Sequence, residues 1–514
     1  MSGRISLARA FAVVGGWTMA SRILGFARDV LIAGFLGAGP VAEAFFVAFR
    51  LPNMFRRFFA EGAFNMAFVP LFAKRLEGGE DAKGFAEEAL SGLFFVLLIF
   101  TVVAMAAMPL LMLGLAAGFS DEPDKFDLAV LYGRIQFPYL LCMSLTALFS
   151  GVLNSMGKFA APAAAPVVLN IVLIAFMALA AAFAAPIGDA LAFGVLAAGF
   201  LQVALVALAA RWAGMVLRIG RPRWSPAMKR LVALGVPGMI AGGATQINLF
   251  IGTMIATFFA GAVAWLNYAD RIYQLPLGVV GVAIGVVLLP ELARRVRADD
   301  GAGARDAFNR AAEFSLALTL PAAAALIVMP GVIVATLFGR GAFTDADVIA
   351  TSAAVMIFAI GLPAFVLQKV LQPVFFARED TKTPLKYAVA SMVVNTVISA
   401  GGAPFIGYLA IPIGTVVAGW LNVLLLWQGA RGFGDAATPD ARFIRRAPRL
   451  VAASALMGVI VWFGAGVLSD ILATPGLRWA ALLGLVGGGG AVFAAAALAT
   501  GAASIADLKA AIRR

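Results

Sequence analysis

Seven basic side chains fall inside stretches apolar enough to cross a bilayer: Arg22, Arg28, Arg50, Arg56, Arg57, Arg271 and Lys369. A guanidinium presents a planar fork of N–H donors that matches two oxygens of a phosphate, so clustered arginines suit phosphate or pyrophosphate. Four carboxylates stand at comparable depth: Asp29, Glu43, Glu61 and Asp270. A single basic residue at a helix centre costs about 2.5 to 3.5 kcal/mol on the insertion scale. Several together therefore imply a polar, water-filled interior, and the surplus of positive charge calls for an anionic cargo.

Spacing groups these residues. Arg22 and Asp29 are seven apart and share a helix face to within about 20°, whereas Arg28 points about 120° from Arg22 unless Gly25 permits a local bend. Glu43, Arg50 and Arg57 form a stripe at the same spacing, with Glu61 one turn further. Arg56 lies off that stripe, and Pro52 should kink the helix between them. The stretch "NYADRIYQLP" adds Asp270 and Arg271, and Lys369 comes from a later segment. Taken singly, each has a structural alternative, an ion pair or snorkelling to the interface. Asn170, Gln246, Asn248, Asn267 and Asn395 read as interhelical hydrogen bonders.

Other chemistries find no support. Histidine is absent and Cys142 is the lone cysteine, which removes the commonest general base, the usual metal ligands and any internal disulfide. "GVLNSMGKF" resembles a phosphate loop, but it has one residue too many between Gly151 and Gly157, and Phe159 replaces the Ser/Thr. No metal or cofactor is expected, and the chain does not read as an enzyme. A net charge of +12 could suggest nucleic acid, yet the basic residues are spread over short loops.

The elements that must position these charges follow from composition. The chain of 514 residues is 62% hydrophobic and 13% charged, whereas soluble domains are charged at about a quarter of positions. Fourteen apolar segments are predicted as helices, near 10–37, 40–72, 88–117, 128–156, 160–185, 188–212, 230–260, 264–293, 308–338, 347–377, 384–403, 406–430, 449–470 and 477–502. The first is read as a retained helix, not a cleaved signal peptide. With the N-terminus inside, only Lys125, Arg134, Arg340 and Arg478 of the 39 basic residues lie in outer loops. That bias places both termini in the cytoplasm.

The halves resemble one another. "AFNMAFVPLFAKRL" (63–76) aligns with "AIGVVLLPELARRV" (283–296), setting Pro70 over Pro290 with a basic pair after each. The expected fold is an all-α polytopic membrane protein of about fourteen transmembrane helices, in two pseudo-symmetric six-helix lobes plus two C-terminal helices. Its divisions are an N-lobe at 1–215, a cytoplasmic linker at 216–229, a C-lobe at 230–432, and the last two helices with a basic tail at 433–514.

At "SRILGFARD", "AFFVAFRLPNMFRRFFAEGAFNMAFVPLFA", "NYADRIYQLPLGVVGVAIGVVLLPELA" and "FAREDTKTP" the sequence resembles the MurJ/MviN family, bacterial flippases of the peptidoglycan precursor lipid II. The resemblance implies two lobes around a cationic cavity in the cytoplasmic (inner) membrane. Arg22, Arg28 and Arg271 would contact the pyrophosphate, with Asp29 as a conformational partner. Glu43, Arg50, Arg56 and Glu61 match charged functional positions of the second helix, and Lys369 matches a basic cavity position. Gln274 stands where some relatives carry glutamate, which makes the local balance more positive. The implied partners are lipid II and membrane lipids, with cell-wall synthesis machinery compatible and nucleic acid excluded. No coupling ion is carried over, because segments seven, eleven and twelve lack carboxylates. A flippase for another polyprenyl-diphosphate-linked glycan would use the same arginines; an ion-coupled drug exporter of the same superfamily would need a cavity of carboxylates and aromatics.

Overall fold

The computed structural model describes residues 7–56, 63–298 and 300–504, and every regular element among them is helical. Contacts divide the chain into two units, Met1–Ala264 and Trp265–Arg514. The first holds α1 (Leu7–Leu36), α2 (Pro40–Arg56), α3 (Ala63–Glu77), α4 (Ala82–Ala106), α5 (Met108–Leu115), α6 (Pro123–Gln136), α7 (Tyr139–Ser155), α8 (Ala160–Ala182), α9 (Ile187–Trp212) and α10 (Pro226–Ala256). Helix α11 (Ala262–Arg297) begins there and continues into the second. That unit adds α12 (Gly301–Val328), α13 (Pro330–Phe338), α14 (Asp345–Phe376), α15 (Lys382–Ile406), α16 (Ala410–Ala430), α17 (Ala441–Val467), α18 (Ser469–Ala473) and α19 (Leu477–Ala499).

Among the described residues, nine helical stretches are long and apolar enough to cross a membrane. One of them, Lys382–Gly434, has 53 residues and would extend about 80 Å as a single helix, against a hydrocarbon core of about 30 Å. The stretch turns at Gly407, whose φ of 63° and ψ of −149° suit glycine alone.

Several segments expected as single helices are broken. Residues 88–117 divide at Ala107 into α4 and α5, and residues 308–338 divide at Met329 into α12 and α13. In both, a proline stands in the first turn of the second helix, where its missing N–H and fixed φ end one helix and start the next. Similarly, the segment expected at 128–156 begins earlier, at Pro123, and divides between Gln136 and Tyr139. Pro70 and Pro290 both lie inside helices, and α3 and α11 both carry their basic pairs in the last turn, where cations complement the helix dipole.

The core of the first unit is aromatic. Phe68 stacks on Phe64, Phe72 and Phe85, and the cluster continues into Leu148, Val152, Met228 and Leu231. In the second unit, Leu292, Phe308, Val370, Val374, Phe375 and Leu426 form the corresponding cluster across α11, α12, α14 and α16.

Helix α17 is fixed to α12 by charge as well as by packing. Glu313 of α12 lies within ion-pair distance of Arg310 (2.8 Å), Arg442 (3.2 Å) and Arg446 (3.4 Å). Asp440 caps α17 by accepting from the Phe443 N–H at 2.6 Å and also pairs with Arg310. Partial burial works against ionisation of Asp440, but the Phe443 N–H and the Arg310 charge more than offset it and hold the carboxyl below its usual value. A carboxylate depressed in the folded state contributes stability above its unfolded pKa of about 3.9, and that contribution is lost as pH falls through the folded value. Asp440→Asn keeps the cap and loses the charge. Thermal unfolding of the purified protein should therefore show lower stability for the variant at neutral pH and a shallower loss below about pH 4.

Candidate functional site

Helix α1 packs on α8, and Gly25 faces Asn170 at that contact. A Cβ on Gly25 would lie 3.5 Å from the Asn170 amide nitrogen. Asn170 donates to the Ser21 carbonyl at 3.0 Å and accepts from Arg28 Nη1 at 3.0 Å, as expected of an interhelical hydrogen bonder. Arg28 Nε and Nη2 both donate to Asp29 Oδ1, at 2.9 and 2.6 Å. Exposure is 8% for Arg28 and 2% for Asp29. Asp29 thus pairs with its immediate neighbour, not with Arg22 one heptad away. Adjacent residues point about 100° apart on a helix, and the length of the arginine spans that angle. Arg22 is exposed. Arg56 is half-buried at the end of α2, and Tyr139 of α7 is fully buried. Arg28 is thus buried and paired inside the first unit.

The expected stripe on α2 disperses to other elements. Glu43, 1% exposed, is 2.6 Å from Lys125 Nζ and accepts from the Val263 N–H at 3.2 Å. Lys125, 4% exposed, also sits 4.2 Å above the Phe119 ring. Arg50 donates to Thr253 Oγ1 of α10. Nearby, the Gly118 N–H donates to Thr257 Oγ1 at 3.1 Å; a Cβ on Gly118 would fall 2.4 Å from the Phe258 nitrogen, so only glycine permits this approach. These contacts tie α2 and the 3-10 turn Ala117–Asp121 to the connection between α10 and α11, all inside the first unit. Arg57 and Glu61 lie outside the described residues.

In the second unit, Asp270 accepts from Gln274 one turn later on α11, and Arg271 beside it is half-buried. The Tyr273 ring packs 4.7 Å from Phe358 and 5.8 Å from Phe365 of α14. Helix α14 also carries Lys369, which is exposed, and next to it Gln368 bonds to Asn422 and to the Gly419 carbonyl of α16. Among the described residues no group of three or more His, Cys, Asp or Glu side chains is placed to hold a metal ion.

Sequence reasoning missed three partners: Lys125 for Glu43, Thr253 for Arg50 and Glu313 for the α17 arginines. Lys125 had one usable signal, its place as the lone basic residue in the acidic stretch "SDEPDKFD". The other two had none, because the contacts join residues far apart in the chain.

The family model described as lipid II flippase MurJ matches residues 32–474. A protein named probable lipid II flippase MurJ from Rhizobium meliloti is 46% identical over 99% of this chain and 97% of its own length. Another, named lipid II flippase MurJ, from Burkholderia cenocepacia, is 37% identical over 89% of this chain and 90% of its own. Among solved structures, a lipid II flippase MurJ in an inward closed conformation superposes with a TM-score of 0.77 at 24% identity, covering 94% of this chain and 97% of that one. An inward-facing multidrug resistance transporter of the MATE family, in the MOP superfamily, superposes at 0.65 with 15% identity, covering 84% and 99%. At these identities the two structures show a shared fold.

Proposed function

The chain belongs to the MurJ family of lipid II flippases, and from that premise we propose how it moves its cargo. Lipid II passes from the inner to the outer leaflet of the cytoplasmic membrane by alternating access, with its pyrophosphate held by cavity arginines. Fourteen crossings form two six-helix lobes, at 1–215 and 230–432, joined by the linker 216–229 and followed by two helices in 433–514. Both termini are cytoplasmic. The repeat is supported by the matching breaks at Ala107 and Met329 and by the matching prolines and basic ends of α3 and α11.

The observation that carries the reading is the Arg28–Asp29 pair, buried within the first unit. An ion pair this buried persists because its remaining donors and acceptors are satisfied, and Asn170 does this for Arg28. Asp29 then serves as an internal counter-anion, holding a guanidinium edge that a phosphate of the cargo takes over. Arg22 and Arg271 supply the further donors, and Arg50, Lys369, Glu43, Glu61 and Asp270 tune the surrounding charge. Binding of a dianionic headgroup relieves repulsion among the arginines only in the state where they share it, which gives the cargo the differential affinity that drives closure. The protein moves its lipid without chemical change and is a transporter, not an enzyme.

Two measurements test this. Lipid that copurifies with the protein, identified by native mass spectrometry, should be lipid II; a different polyprenyl-diphosphate-linked glycan in its place would change the assigned cargo. Simultaneous neutral replacement of Arg22, Arg28 and Arg271 should abolish growth support in cells depleted of their own flippase. Normal growth at normal protein level would remove the arginines from the mechanism.

A further inference from the structure

Two of the four basic residues assigned to outer loops, Arg340 and Arg478, meet at the end of one helix in the second unit. Arg478 Nη1 donates to the Ala335 and Gly339 carbonyls, at 3.2 and 2.9 Å. Arg340 Nη2 donates to the Thr336 and Leu337 carbonyls, at 2.8 and 2.9 Å. Both guanidiniums are thereby pinned to the last turn of α13, each through one nitrogen. Their other nitrogens make no hydrogen bond to a described residue, and no described carboxylate lies within ion-pair distance of either. Trp479 completes the group, its ring 5.4 Å from the Arg340 guanidinium.

Capping accounts for only part of this charge. A helix C-terminus carries about half a negative charge, against which two guanidiniums bring two positive ones. Snorkelling gives no reason for two arginines to share one turn, since each could reach the interface alone. Burial, and after it the charge of Arg478, pulls the Arg340 pKa below the ordinary arginine value, so the pair is held together against its own repulsion. Fixed, adjacent, forked donors with surplus positive charge are the arrangement that binds oxyanions bidentately.

We propose that Arg340, Arg478 and Trp479 form an outer-face site for the diphosphate of the polyprenyl-linked lipid after translocation. Two guanidiniums match the two phosphates of a diphosphate, whereas a phosphodiester offers one charge. The site would hold the headgroup as it leaves, and its occupancy would delay return. This inference rests on the orientation proposed above, with the end of α13 facing outward.

The test uses full-length protein in nanodiscs with a benzoylphenylalanine photocrosslinker at the exposed Ala480 position. The probes are undecaprenyl diphosphate and phosphatidylglycerol at equal mole fraction. Crosslinking should favour undecaprenyl diphosphate and fall about tenfold in Arg340→Gln/Arg478→Gln, the scale of one lost charge-assisted hydrogen bond. It should persist in Arg28→Gln/Asp29→Asn/Arg271→Gln, which removes the cavity charges without leaving Asp29 unpaired and places the label away from the cavity arginines. Unchanged crosslinking in the Arg340/Arg478 double variant, or equal crosslinking of phosphatidylglycerol, would overturn the proposal and leave a general lipid anchor. If the glutamine variant fails to fold, the lipid preference of the parent protein and of Arg340→Lys/Arg478→Lys decides the matter. Orientation is read separately: Ala342→Cys in a Cys142→Ser background should react with an impermeant maleimide in intact cells. No reaction there would overturn the sidedness and with it the outer-face assignment, whatever the lipid preference.

Discussion

Arg28→Gln is expected to weaken binding of the lipid-linked diphosphate by about 10- to 150-fold, the range set by about 1.5 to 3 kcal/mol for a hydrogen bond to a charged group. Growth support in flippase-depleted cells should be lost with it. The single variant also leaves Asp29, 2% exposed, without the guanidinium that neutralises it, so part of the effect could be loss of fold. Arg28→Gln/Asp29→Asn removes both charges and keeps a hydrogen-bonding side chain at each position. This double variant should recover the thermal stability of the parent and still fail to bind or to support growth. Binding of a polyprenyl diphosphate by the folded double variant with parental affinity would show that Arg28 serves the fold alone.

The second large effect concerns the Glu43–Lys125 pair, which is 2.6 Å apart, with partners 1% and 4% exposed. Removing one member of such a pair costs about 3 to 5 kcal/mol because the other charge stays buried, whereas replacing both can be nearly neutral. Lys125→Met should therefore destabilise the protein strongly, and Glu43→Gln/Lys125→Met should restore most of the loss. A double-mutant cycle on unfolding in detergent measures the coupling. Additive effects would mean that the two side chains do not stabilise each other. Lys125→Met should also loosen the connection between α10 and α11, since Glu43 accepts from the Val263 N–H there. Faster hydrogen exchange at residues 257–263 is the accompanying expectation.

Much of this could be read along the chain. Helix positions follow from apolar length; the structure adds the caps that end them, Ser225 before Pro226, the Thr344 and Asp347 capping box, and Asp440, which accepts from the Phe443 N–H. Broken helices were harder. Pro109 and Pro330 were present as signals, but the apolar runs continue across them and hydropathy alone cannot register a change of direction. Apolar length predicts one helix over 40–72 with a kink at Pro52, and the structure describes α2 and α3 on either side of residues 57–62.

The candidate site divides the same way. That Arg28 and Arg56 lie in helices could be read from sequence, because each sits within a long apolar run. Which partner each charge takes could not, because side chains on one helix face compete with groups brought in from elsewhere. Heptad spacing sets Arg22 and Asp29 on one helix face and strings Glu43, Arg50 and Arg57 along another. In the folded protein Arg28 reaches Asp29 and Asn170, Glu43 reaches Lys125 and Val263, and Arg50 reaches Thr253. Local sequence determines backbone direction and the energetic need for a counter-charge. Tertiary packing decides who supplies it, because desolvation makes the nearest available partner mandatory and only the fold brings residues 142 or 220 positions apart into contact.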